Sequence, residues 1–348
     1  MTGTSDSPKN ADASSGNAQA ASDAVGEGGT SARSVARGIA YRYSLVFVLI
    51  LFVAVYSLLL PTMFPTLANL RTITATQAVL MIVALGLTFP LAAGEFDLSF
   101  GGVLGLSSTL VAVLTVEQGW PLLPAVVVCL GMGLFIGALN AAIIIRLGVN
   151  SLITTLGMGT VLLGLSLFVS NNQVIAGHLG LLFDAATGVL FGLPYPVYFA
   201  LGLAVLAWYV QEYTPFGRYV YFTGEGREAA RLSGINVDRV RLVCFAITGI
   251  AASLAGIVNF GRLGSADPNI GSLYLLPGFA TVFLGATAIK PGRYNAWGTV
   301  LAVYVLVVGI VGLQLLGGAG FLEHIFNGLA LILAVVFSVG IRRSLTGE

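Results

Sequence analysis

The chain has 348 residues, 57% of them hydrophobic and only 9% charged. An average soluble domain carries about 25% charged residues, so a water-facing globular surface cannot be built from this composition. Sixteen Lys and Arg stand against fifteen Asp and Glu, a net charge of +1, which provides neither a basic surface for nucleic acid nor an acidic tail. Two isolated cysteines, Cys129 and Cys244, define no disulfide framework and no metal site.

The N-terminal 32 residues are Ser, Ala, Gly and Asp with almost no bulky apolar groups, so residues 1–40 are expected to be a disordered tail. No apolar core follows a basic start there; no signal peptide is expected, and the first apolar run directs insertion. From Tyr43 onward, Asp, Glu, Lys and Arg divide the chain into ten charge-free runs. These are Tyr43–Leu70, Thr72–Gly94, Leu98–Val116, Gln118–Ile145 and Leu147–Phe183, then Ala185–Gln211, Leu242–Gly261, Pro268–Ile289, Tyr294–Leu322 and His324–Ile341. Each is at least 18 residues long, and a transmembrane helix takes about 20 mostly apolar residues. The tail of the longest run, Ser170–Gly177, is polar and reads as a loop, so that run counts once. Barrel strands of about 9–11 alternating residues do not fit. The expectation is an all-α polytopic membrane protein with about ten transmembrane helices over residues 41–343 and a short tail at 344–348.

Cytoplasmic loops carry an excess of Lys and Arg. With ten spans and a cytoplasmic N-terminus, only Arg71 and Arg262 fall outside, and the other 14 of the 16 basic residues fall inside. Adding or dropping one span scrambles this partition, which supports two cytoplasmic termini.

The chain also lacks energy-coupling chemistry. Its lysines, Lys9 and Lys290, precede Asn10 and Pro291, whereas a phosphate-cradling loop needs Gly-Lys-Ser/Thr. His178 and His324 stand far apart, without metal-ligand spacing. No run holds the interior carboxylate that proton or sodium pumps use. These absences argue for a passive conduit, or for one powered by another subunit.

Glu212–Arg241 is the long, charged cytoplasmic loop. Thr223 can cap a short helix with Glu225, Glu228 and Ala229 in its first turns, where the helix dipole favours acids. Gly234 can end it, and Asn236 can cap the seventh span. Ala229 and Ala230 permit close approach of another surface, flanked by Arg227 and Arg231. A solvated connector is the plainer alternative, but a two-turn helix is marginal alone in water, so its order points to docking.

The segment from Phe216-Gly-Arg-Tyr-Val-Tyr221 through Glu228-Ala-Ala-Arg-Leu-Ser-Gly-Ile-Asn-Val-Asp-Arg239 resembles the coupling loop of ribose-type (monosaccharide) ABC importer permeases. Gly94-Glu-Phe-Asp-Leu-Ser-Phe-Gly101 and Leu284–Thr299 resemble two further segments of that family, in the same order. Glu95 stands where the family commonly has a small residue, and Ala286 and Pro291 alter its usual double glycines. The resemblance implies a permease that pairs with itself or a sister permease. It further implies two ATPase subunits that use ATP and Mg, and an extracytoplasmic solute-binding protein in a prokaryotic inner membrane. The chain itself would need no cofactor. Glu225, Arg227, Glu228, Ala229, Ala230, Arg231 and Gly234 would form the ATPase-coupling helix.

Two Gly/Pro-broken segments, Pro90–Gly105 and Pro277–Gly298, are candidates for a solute pathway lined by interrupted helices, although small residues also serve ordinary helix packing. Asp97 or Ser99 can cap the third span; alternatively Asp97 hydrogen-bonds a sugar hydroxyl or latches an inner gate. Glu95 has the same two readings, with solvent exposure expected. Asn140, Asn150, Gln314 and Asn327 complete the pathway candidates, each also readable as an interhelical hydrogen-bonding group. The competing functions are a stand-alone secondary transporter or channel and a membrane scaffold.

Overall fold

In the computed structural model, residues 42–177 and 180–346 are described. The tail expected over residues 1–40 and His178 lie outside the described residues. Each of the ten charge-free runs holds one principal helix. In chain order these are α1 (Ser44–Leu59), α2 (Leu67–Ala92), α3 (Ser99–Ala112, prolonged by a π-turn over Val113–Glu117), α4 (Leu122–Arg146) and α5 (Ser151–Val169). A short helix α6 (Gly180–Thr187) precedes α7 (Tyr195–Tyr213), and the charged loop holds α8 (Pro215–Glu225) and α9 (Arg227–Leu232). Then come α10 (Val237–Leu263), α11 (Ser272–Gly285), α12 (Ala296–Leu315) and α13 (Phe321–Thr346).

Four two-residue strands complete the described structure. β1 (Ile175–Ala176) pairs antiparallel with β4 (Ser265–Ala266), and β2 (Val189–Leu190) with β3 (Leu193–Pro194). The segment Ser170–Gly177 is thus a turn, through Asn171 and Asn172 in the left-handed region, followed by a strand residue pair.

Six helices, α2, α3 with its π-turn, α4, α5, α10 and α12, are long and apolar enough to cross a membrane. Helices α1, α7 and α11 fall short for identifiable reasons. At 1.5 Å rise per residue, α1 and α11 are only about 24 and 21 Å long, against a hydrocarbon core of about 30 Å. Pro277 interrupts the hydrogen bonding of α11, and four tyrosines with Gln211 and Glu212 dilute the apolarity of α7.

Helix α10 is the central element and packs along α4, α3 and α2. The approach is backbone to backbone. A Cβ at Gly249 would lie 2.1 Å from the Gly133 carbonyl oxygen, one at Gly137 2.3 Å from that of Phe245, and one at Gly256 2.4 Å from that of Leu104. Lipid tails offer no less apolar a setting than a neighbouring helix, so such close van der Waals contact and interhelical hydrogen bonds must hold a bundle together. Two serines link three helices in series: Ser107 of α3 donates to the Ser253 carbonyl of α10 at 2.8 Å, and Ser253 to that of Cys129 of α4 at 2.8 Å.

Helix α2 contains Pro90, which has no N–H to give the Gly86 carbonyl one turn back. The Thr248 hydroxyl of α10 donates to that carbonyl at 3.2 Å. Thr88, one turn from the end of α2, accepts from the side-chain amide of Gln211 of α7 at 2.7 Å, and Gln211 Oε1 accepts the Ala296 N–H that opens α12 at 3.0 Å. Asn295 caps α12 through the Gly298 N–H at 2.7 Å, while its amide donates to the Gly285 and Ala288 carbonyls beyond α11.

These contacts collect one end of the bundle. The C-terminal ends of α2, α7 and α11 meet the N-terminal ends of α10 and α12 there. The Arg42 carbonyl, just before α1, accepts from the Ile289 N–H at 2.9 Å at the same end. The opposite end is closed by the β1–β4 pair and by Arg71, which donates to the Gly192 carbonyl of the β2–β3 turn at 2.8 Å.

Gly249→Val is expected to destabilise the bundle by about 3 kcal/mol, because the added side chain overpacks a backbone contact. That corresponds to a melting-temperature drop of roughly 6–12 °C in detergent. Gly157→Val on α5, where a Cβ would meet nothing within 4 Å, should leave the melting temperature nearly unchanged.

Candidate functional site

Between α2 and α3 the chain makes a tight turn, with Gly94 in the left-handed region at φ +76°. Glu95 follows, and it is not solvent-exposed as expected: it is only 2% exposed. Arg241, near the start of α10, donates its Nε to Glu95 Oε1 at 2.5 Å. Arg227, the first residue of α9, donates to the same oxygen at 2.6 Å and to the Gly94 carbonyl at 3.2 Å. A buried carboxylate is tolerated when paired and hydrogen-bonded, and here two guanidinium groups supply both. The end of α8 lies against the end of α2 as well, since a Cβ at Gly224 would sit 2.1 Å from the Ala92 carbonyl oxygen.

The short helix of the loop differs from its sequence expectation. It runs over Arg227–Leu232 rather than Glu225–Gly234, because Thr223 is buried within α8, Glu225 ends that helix and Gly226 breaks it in extended conformation. Thr214 is the cap of α8, accepting the Gly217 N–H at 3.3 Å. Gly234, at φ +81°, does terminate α9, and Asn236 caps α10 through the Arg239 N–H at 3.0 Å.

The two alanines face opposite ways. Ala230 is fully buried against its own chain, whereas Ala229, Glu228 and Ser233 are exposed and Leu232 is 89% exposed. The exposed side of α9 is therefore the Glu228–Ala229–Leu232 side, and Ala230 is a packing residue. Arg231 pairs with Glu228 at 3.4 Å and Asp238 at 3.2 Å. A cavity of about 750 Å³ opens beside α9, with Arg227, Arg231 and Arg241 on one wall and the α4–α5 turn on the other.

Asp97, Ser99 and Asn140 come together as a buried chain. The Asp97 carboxylate accepts the Ser99 N–H at 3.0 Å and hydroxyl at 2.6 Å, and the Asn140 amide donates to the Ser99 oxygen at 2.8 Å. Asp97 thus binds the first residue of α3. Burial pushes its carboxyl up to about 6, against the Ser99 hydrogen bonds, which favour the charged form. The turn is tied to α5 by Thr155, which accepts the Leu98 N–H at 2.9 Å, and by Ser151, which accepts that of Phe96 at 3.2 Å.

The remaining pathway candidates separate. Asn150 is exposed and caps α5 through the Leu152 N–H at 2.9 Å. Gln314 and Asn327 lie at the far end of the bundle from α9; Gln314 is exposed and donates to Glu323 at 3.4 Å, while Asn327 is buried. Sequence reading missed Arg241 as the partner of Glu95. Both bound a charge-free run at the same end, which was the available signal, but only the packing of α10 on α2 brings them together. No group of three or more His, Cys, Asp or Glu that could hold a metal occurs among the described residues.

Residues 69–335 match the protein family described as branched-chain amino acid transport system / permease component. The ribose import permease protein RbsC of Escherichia coli K12 is 34% identical over 298 residues, covering 84% of this chain and 92% of the relative. RbsC of Haemophilus influenzae is 31% identical, covering 83% and 90%. The autoinducer 2 import system permease protein LsrD of Yersinia pseudotuberculosis is 33% identical, covering 77% and 82%. No solved structure matches the chain. A mostly helical bundle with several membrane-crossing helices, matched over most of its length, is a multi-pass membrane permease. The chain belongs to this transport-system permease family.

Glu95→Ala removes the counter-charge of the buried Arg241 and is expected to cost about 3–5 kcal/mol, read as a melting-temperature loss in detergent. Arg227→Ala, whose side chain is 43% exposed, should cost less. For Asp97, the folded value of about 6 lies above the ordinary 3.8. Its contribution to stability is full below about pH 4 and is lost as pH rises through about 6. Asp97→Asn abolishes that loss, so its melting temperature relative to wild type should rise between pH 4 and about pH 7.

Proposed function

We propose that the chain is the transmembrane permease subunit of an ATP-binding-cassette importer, moving a monosaccharide or related polyol across the inner membrane of a prokaryote. In this reading residues 41–343 cross the membrane ten times. Both termini, including the tails at 1–40 and 344–348, are cytoplasmic. Two features support that topology: the 14-to-2 partition of basic residues, and the meeting of alternate helix ends around α9. The names of the relatives, which import ribose or autoinducer 2, support a small hydroxyl-bearing solute.

The energy enters through the loop over residues 212–241. Two ATPase subunits, carrying ATP and Mg, dock on the α9 helices of this chain and of a second permease, identical or sister. An extracytoplasmic binding protein delivers solute to the opposite face. One observation carries the proposal. Helix α9 presents Leu232, 89% exposed, on its outer side and holds the buried Glu95 through Arg227 on its inner side. A displacement of α9 by the ATPase reaches the α2–α3 turn through that ion pair and through the Gly224–Ala92 backbone contact. The turn carries Asp97, bonded to Ser99, which in turn accepts from Asn140 of α4, so the inner ends of three helices respond together.

The test is purification of tagged chain from its native membranes in mild detergent, with co-purifying subunits identified by mass spectrometry. A Walker-motif ATPase is expected with wild type. Full burial of one Leu is worth about 1.5–3 kcal/mol, so Leu232→Glu should weaken ATPase retention by about 10–100-fold without lowering the melting temperature. Ala230→Glu should instead destabilise the chain itself, because Ala230 is buried. A chain that purifies alone and moves solute in liposomes without ATP would replace this reading with a stand-alone secondary transporter or channel.

A further inference from the structure

A cavity of about 490 Å³ lies between α1 and α13, over α12 and the C-terminal end of α11. Phe52 of α1 and Phe326 of α13, whose ring centroids are 6.5 Å apart, line its deep end. Ser44, Thr287 and Phe337 line its mouth, at the end of the bundle that bears α9. At the helical rise the walls run roughly 12 Å from Ser44 to Phe52 and roughly 16 Å from Phe326 to Phe337. One leaflet of a hydrocarbon core about 30 Å thick has the same depth. Apart from the Ser44 and Thr287 hydroxyls at the mouth, the lining side chains are hydrocarbon. Apolar cavities stay dry, and a void of this size forfeits the dispersion contacts of its whole lining. A hydrocarbon occupant restores them. Leu329, Leu333 and Phe337 are exposed, so the cavity is reached from the surrounding bilayer.

The mouth is basic. The Arg42 carbonyl accepts the Ile289 N–H at 2.9 Å, which brings Arg42 and Lys290 together beside Ser44 and Thr287. Arg42 is exposed and lies over the Tyr43 ring, 5.8 Å from its centroid. Lys290 is partly exposed and pairs with Glu212. Arg342 and Arg343 stand in the last turns of α13, beyond Phe337. Among the described residues no carboxylate lines the cavity itself. Basic clusters at the cytoplasmic ends of membrane helices attract anionic headgroups. We infer that this cavity is a binding site for an anionic glycerophospholipid, with one acyl chain between α1 and α13 and its phosphate at Arg42. A soluble phosphate uses only the rim, and a neutral lipid only the slot; an anionic lipid uses both. The bound chain packs the first helix of the bundle against the last. Placing the site in the inner leaflet rests on the topology proposed above, whereas the site itself does not.

The experiment uses the full-length chain, purified in mild detergent and washed free of loose lipid. Dioleoyl phosphatidylglycerol, dioleoyl phosphatidylcholine and glycerol 3-phosphate are titrated separately, with binding read by native mass spectrometry and by melting temperature. One basic side chain at an anionic headgroup is worth about fivefold in affinity. The expected result is one phosphatidylglycerol per chain, bound about fivefold or more tightly than phosphatidylcholine, with glycerol 3-phosphate inert. Arg42→Gln should remove about fivefold of that preference and leave phosphatidylcholine binding unchanged. Lys290→Gln should do less, because Glu212 already pairs with it. Leu333→Trp fills the slot and should abolish binding of both lipids, while the melting temperature without lipid is maintained. Equal affinity for the two lipids would overturn the inference. So would stabilisation by glycerol 3-phosphate alone, or phosphatidylglycerol binding that survives Leu333→Trp. A second copy of the chain that fills the groove, seen as a dimer that excludes phosphatidylglycerol, would overturn it as well. Lipid binding by a chain whose C-terminal tag is digested from outside the cell sustains the site and sinks only the proposed topology.

Discussion

The carbonyl of Gly86 is the constraint on which the bundle is arranged. Pro90 deprives it of its helical donor, and an unpaired carbonyl inside an apolar bundle is expensive. The Thr248 hydroxyl, shared with the Cys244 carbonyl of its own helix at 3.1 Å, serves it at 3.2 Å, and reaches it because Gly86 has no side chain: a Cβ there would lie 2.5 Å from that of Ala251. A helical hydrogen bond lost to Pro90 and replaced by a neighbour thus ties α2 to α10 at one height. The other small-residue crossings of α10, at Gly249 with α4 and Gly256 with α3, then follow as parts of the same tightly packed interface.

The charged residues are organised around this packed centre. Glu95 lies a few residues beyond Pro90, and α10 delivers Arg241 to it from the other side of the contact. Arg227 uses the same buried carboxylate oxygen to fix α9. The orientation of α9 is therefore set from within the bundle. Its exposed Leu232 is a consequence of where Arg227 must point, and the same geometry turns Ala230 inward.

Much of this architecture was legible in the sequence because charges interrupt membrane-compatible runs sharply, and each such run holds a principal helix. Gly234 and Asn236 were legible too, since a left-handed stop and a side-chain cap are local chemistry. Membrane-spanning lengths were less so: runs without charge contain prolines and tyrosines that shorten or dilute α1, α7 and α11. Glu95 was misread as exposed because nothing local reveals that Arg241, 146 residues away, covers it. Likewise Asn327 and Gln77, from helices far apart in sequence, line one cavity. That cavity is a property of packing, whereas the capping role of Asn150 is written in its immediate neighbours.

Helix α2 carries both ends of the molecule on one rigid rod. Gln77 lines a cavity at the end far from α9, and the rod runs without a gap into the turn that bears Glu95. Between them lies Gly86, where α2 comes so near α10 that a Cβ would lie 2.5 Å from that of Ala251. Nine residues separate it from Gln77 and six from Ala92, arms of roughly 13 and 9 Å at the helical rise. A tilt of about 10° about that point swings the two ends in opposite directions by roughly 2 Å each. In the permease proposed above, a displacement of that size narrows one end while it opens the other, and a pivot at a glycine leaves the helix itself unbent.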